Sequence, residues 1–153
     1  TDIYFDDANP VLFNSLSISS QSSGVNFSMG ASPGDLPGGN TLTPAFVATS
    51  PNGSNAADSN SPTSANGINS STEWLTFAGL WANSSSTTFQ DLINSLSNGA
   101  FRVGLHVQAI GISGQSDSYV NGPPPPSVPL PAAFWLFGSA LIGFVSLSNR
   151  KRL

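Results

Sequence analysis

The sequence predicts a mainly β protein, an antiparallel β-sandwich with one short helix, followed by a C-terminal hydrophobic helix able to cross a membrane. Three observations predict it. Residues 101–109 alternate apolar and polar positions, residues 88–99 hold a segment with a helical apolar period, and residues 132–148 form a run of 17 without a charge. Period two marks a strand with one buried face, whereas apolar residues at i, i+3, i+4 and i+7 mark an amphipathic helix. The organisation that follows is a domain over residues 1–120, a proline-rich spacer over 121–131, and a transmembrane helix with a basic end over 132–153.

The domain opens with Ile3 and Phe5 at period two, then an apolar-rich run from Val11 to Ile18, then Val25, Phe27 and Met29. Asn9-Pro10 and Ser23-Gly24 break these runs, so an antiparallel beginning is expected. Residues 31–72 are mostly Ser, Asn, Gly, Pro and Thr, and only "PAFVATS" at 44–50 reads as strand; a loop-rich excursion is expected there. "STEWLTFAGLW" places Leu75 and Phe77 on one strand face and Trp74 and Thr76 on the other. In "TTFQDLINSLSNG", Phe89, Leu92, Ile93 and Leu96 share one helical face and should cap one end of the β core. Thr88 and Asp91 have the spacing of a capping box, and Gly99 is placed to end the helix. In "AFRVGLHVQAIGISG", Phe101, Val103, Leu105, Val107 and Ala109 should face the core while Arg102, Gly104, His106 and Gln108 face water.

Composition limits the function. Charged residues make up 8% of the chain, so Ser, Asn, Thr, Gly and Gln must form most of its surface. Residues 1–127 contain all eight acids and one base, a net charge of −7, which argues against binding nucleic acid through its phosphates. The absence of cysteine removes disulfides, thiol nucleophiles and thiolate metal sites together. Thr1 reads as a mature N-terminus left by signal-peptide removal.

Ala132 to Ser148 would rise about 26 Å as a helix, close to the thickness of a thin hydrocarbon core. Trp135, Leu136, Phe137, Leu141, Ile142, Phe144 and Val145 form its membrane anchor, and Arg150, Lys151 and Arg152 are a basic stop that belongs on the cytoplasmic side. Pro131 suits a first helical turn, while Pro123 to Pro126 with Pro129 make an extended, exposed spacer. A buried core helix is the alternative for this run; a third is assembly, with Ser139 and Gly143 letting helices of a filament core approach closely.

Val128-Pro129-Leu130-Pro131-Ala132, the apolar helix and the three bases together resemble the PEP-CTERM sorting signal in its Val-Pro-Leu-Pro-Ala form. Leu130 stands where the Pro-Glu-Pro form has an acid. "FRVGLHVQAIGISGQSDSYVNGP" is similar to the segment that precedes the signal in many such proteins, so the resemblance covers residues 73–153. It implies an exported protein of a Gram-negative bacterium. Its partners would be an exosortase, the inner membrane and exopolysaccharide, and its place the cell surface or the biofilm matrix.

Candidate chemistry in the domain is sparse. Arg102, His106 and Gln108 share one strand face and read first as a partly packed polar ladder. The functional alternative is a strip that hydrogen-bonds sugar hydroxyls, with Trp74 or Trp81 as a stacking platform, as in a carbohydrate-binding module. Asp2, Asp6 and Asp7, with Asn9 nearby, read as surface acids on a strand end, since no calcium-loop spacing accompanies them. No nucleophile, base and orienting group can be assembled from sequence, so no enzyme, metal or cofactor is expected.

Overall fold

The computed structural model describes residues 1–7, 11–48 and 55–122. Asn9, Pro123 to Pro126, the sorting motif Val128 to Ala132, the membrane anchor and the basic stop lie outside the described residues. Among the described residues no helix is long and apolar enough to cross a membrane.

The described chain is mainly β. Seven strands run in the order β1 (Asp2–Asp6), β2 (Phe13–Gln21), β3 (Phe27–Met29), β4 (Ala56–Ser59), β5 (Leu75–Trp81), β6 (Arg102–Ile110) and β7 (Gln115–Val120). Two helices interrupt them, α1 (Thr63–Asn66) and α2 (Phe89–Asn98). One sheet has five strands in the order β3-β4-β1-β6-β7, the other pairs β2 with β5, and neighbouring strands are antiparallel throughout. The expected antiparallel beginning is thus not local: β1 and β2 sit in different sheets, and β1 finds its partners about 50 and 100 residues away.

The alternation of β1 divides the domain into two cores. Ile3 and Phe5 join Phe13, Val25, Phe27, Ala57 and Phe101, with Leu75, Phe77 and Trp81 of β5 and Leu92 and Leu96 of α2 packed against them. Phe5 and Phe77 meet edge to face at 4.8 Å across the two sheets. Tyr4 points the other way, into a smaller cluster with Leu36, Phe46 and Ala56. Segment 31–48 of the loop-rich excursion is therefore a cover for the second face of the five-stranded sheet. Gly104 makes the close fit possible, since a Cβ there would come within 2.9 Å of Leu36 and 3.0 Å of Phe46.

This cover revises the expectation for β6. Arg102, on the side expected to be wet, is 8% exposed, while Leu105, on the side expected to be core, is 38% exposed. Segment 44–48 is not a strand either. Its Pro44 and Ala45 carbonyls accept from Arg102, and the Phe46 amide donates to the Gly39 carbonyl, so its polar groups are spent on the cover. β4 lies in the same excursion without a strand signal, because Ala-Ala-Asp-Ser contains no β-branched or aromatic residue.

Helix α2 follows the sequence closely. Thr88 and Asp91 form a reciprocal capping box, and Gly99 closes the helix at φ 80°, a conformation that glycine adopts without a Cβ penalty. Its stripe is narrower than expected. Leu92 and Leu96 reach the core, but Phe89 remains 68% exposed and Ile93 is exposed as well.

Candidate functional site

The polar residues of the covered face fall into register across the sheet. Asp2 is paired with Asp58 on β4 and with His106 on β6, and His106 in turn with Ser118 on β7. Two residues along β1, Tyr4 lies between Ala56 and Gly104; two further, Asp6 lies beside Arg102. Antiparallel pairing brings directly opposed side chains to within about 5 Å, so this register alone assembles the ionic contacts.

Asp2, Asp6 and Asp7 are not surface acids. All three are buried, Asp2 completely. β1 is the central strand, so β4 and β6 flank it and segment 31–48 lies over its face. Each acid has partners that the sequence separates widely. Asp7 accepts from the Leu12 and Phe13 amides, both at 2.8 Å, and holds the turn into β2. Burial nevertheless pushes its carboxyl above the ordinary range. Asp6 receives the guanidinium of Arg102, which also donates to the Pro44 carbonyl at 2.8 Å and lies over the Phe46 ring at 5.3 Å.

The sequence-level trio Arg102, His106 and Gln108 is accordingly split. Arg102 is committed to Asp6 and to the loop cover. His106 and Gln108 converge on Asp2 instead: His106 Nδ1 lies 2.7 Å from Asp2 Oδ2, and Gln108 Nε2 donates to the same oxygen at 3.0 Å. The orienting carboxylate that sequence spacing could not supply is thus 104 residues away. Trp74 and Trp81 do not complete the strip. Trp74 leads into β5 of the other sheet, and Trp81 stacks on Phe13 in the main core at 4.8 Å.

Asp58 completes the cluster and was not singled out from sequence, where it is one acid in a Ser- and Asn-rich stretch. Burial, then the hydrogen bond to and the charge of Asp2, raise its carboxyl from 3.8 to about 6. The second oxygen of Asp2, Oδ1, is buried without a hydrogen-bond donor. Burial first, then the negative charges of Asp2 and Asp58, also raise the Tyr4 phenol, whose hydroxyl donates to the Pro33 carbonyl at 2.9 Å.

Two cavities open beside this cluster, and His106 and Ser116 line both. One, of about 580 Å³, is walled by Thr63, Ser64, Asn69, Gln108 and Ser116. The other, of about 480 Å³, adds Leu36, Pro37, Leu42, Val120 and the carboxylate of Asp117. Ala109, also in the first wall, has φ 58°, a left-handed conformation unusual for a residue with a Cβ, within the register shift between Val107 and Ile110. Such bulges re-aim side chains at strand edges.

No protein family, curated protein or solved structure matches this chain. Among the described residues no three His, Asp or Glu side chains are grouped to hold a metal ion.

Proposed function

We propose that this chain is an exported β-sandwich protein that residues 128–152 direct through the inner membrane of a Gram-negative bacterium to the cell surface or the exopolysaccharide matrix. Its role there is structural or adhesive, and an exosortase is the partner that reads and processes the motif Val128 to Ala132. The observation that carries this reading is the three-part layout of proline-rich motif, uncharged 17-residue run and basic triplet.

The test is intact-mass spectrometry of the protein produced in a host that carries an exosortase of this type. A mass lacking the residues beyond the spacer is expected. Changing Pro129 and Pro131 to Ala, or Arg150, Lys151 and Arg152 to Ser, should leave the domain folded and the chain unprocessed. Full processing of both variants would refute the assignment.

A further inference from the structure

His106 stands at the common wall of two cavities with one ring nitrogen engaged. Asp2 Oδ2 accepts from both Gln108 Nε2 and the imidazole, which places the ring proton on Nδ1 and leaves Nε2 as a lone-pair acceptor at neutral charge. Nε2 has no hydrogen-bond partner among the described residues, and it is not among their sealed-in polar atoms. Asp2 is fully buried and fixed by the sheet register, so the orientation of the ring is set before any ligand arrives.

The walls select a ligand chemistry. The first cavity presents the hydroxyls of Thr1, Thr63, Ser64 and Ser116 and the carboxamides of Asn69 and Gln108, which both donate and accept, with no Asp, Glu, Lys or Arg side chain, and the Thr1 amino group is engaged in donating to Ser59 Oγ at 3.1 Å. That pattern matches vicinal alcohols, whose oxygens also do both. A single imidazole with no carboxylate in that wall is a poor donor set for a divalent cation. Residues 1–127 carry a net charge of −7, which opposes a polyanion. The second cavity meets the first at His106 and Ser116, adds Asp117 as an acceptor for ligand hydroxyls, and brings aliphatic surface from Leu36, Leu42 and Val120 suited to the C–H face of a sugar ring. We infer that the groove formed by these two cavities binds a neutral oligosaccharide, with His106 Nε2 accepting a ligand hydroxyl and Ser116 lying beneath the chain where it passes from one cavity to the other. Arg102 takes no part.

The inference is tested on the full chain in detergent micelles, titrated with cellohexaose, maltohexaose and laminarihexaose, and with an alginate hexamer as the anionic comparison. Binding is read by calorimetry and by the side-chain nitrogen resonances of His106. At least one neutral hexamer should bind with a dissociation constant below about 1 mM and should shift the His106 Nε2 resonance. His106→Ala should weaken that binding about tenfold or more. Ser116→Trp keeps the His106–Asp2 contact and fills the groove from an exposed strand position; it should abolish binding while the thermal transition stays in place. No neutral hexamer moving Nε2 at about 10 mM, equal or tighter binding of the alginate hexamer, or unchanged affinity in Ser116→Trp would overturn the inference. Sorting is read by mass and not by affinity, so its outcome is independent of this one.

Discussion

Replacing Asp58 by Asn tests the buried acid cluster directly. Asp58 lies opposite Asp2 in the β1–β4 register, and its folded-state carboxyl is raised from 3.8 to about 6 by burial and then by Asp2. A carboxyl raised by folding means that the folded state binds the proton more tightly than the unfolded state. Its contribution to stability is fully present below the unfolded value and is lost as pH climbs from about 4 to about 6. The interval corresponds to at most about 3 kcal/mol. Asp58 is partly exposed, so solvent screening lowers the expected cost at pH 7 to about 1–2 kcal/mol. Asparagine removes the charge, and its amide can donate to Asp2 Oδ1, the buried oxygen without a donor. Asp58→Asn should therefore raise the melting temperature at pH 7 by about 4–8 °C and change it little at pH 3. The difference between variant and parent, followed by calorimetry between pH 3 and 7, should grow through the window from about 4 to about 6 and then level off. A variant that is destabilised at pH 7, or one whose advantage is the same at every pH, would refute the reasoning.

Two other substitutions probe the frame around the cluster. Arg102→Met leaves the Asp6 carboxylate buried without its guanidinium and frees the Pro44 and Ala45 carbonyls, so it should cost about 3–5 kcal/mol in urea unfolding and expose segment 44–48 to protease. A loss under about 1 kcal/mol would show that Arg102 does not clamp the loop. Gly79→Ala puts a Cβ 2.4 Å from the Phe13 ring, which is stacked on Trp81, and should cost about 1–3 kcal/mol with a measurable change in tryptophan fluorescence.

Features that depend on a few neighbouring residues were legible in the sequence. The capping box of Thr88 and Asp91, the stop at Gly99 and the shared strand face of Leu75 and Phe77 are set by spacing over a few positions, which the one-dimensional chain displays directly. So is the mainly β character, carried by runs of period two. Pairing was not legible, because it depends on contacts with no local signal. β4 and β7 hold few strand-forming side chains and become strands because β1 and β6 offer them open edges to pair with.

The sequence by itself determined a β domain with a short capped helix and set the chemistry available to it: few charges, no thiols, and a hydroxyl- and amide-rich surface. Only the tertiary structure decided which charges meet. Placing β1 at the centre of the five-stranded sheet sets Asp2 beside His106 and Asp58, and Asp6 beside Arg102, and the 31–48 segment then lies over the same face. Alternation can assign a residue to one side of a strand, but it cannot say what will cover that side. The long-range register and the loop that lies over it turned an apparently wet polar ladder into a buried ionic cluster, with one imidazole left facing the groove.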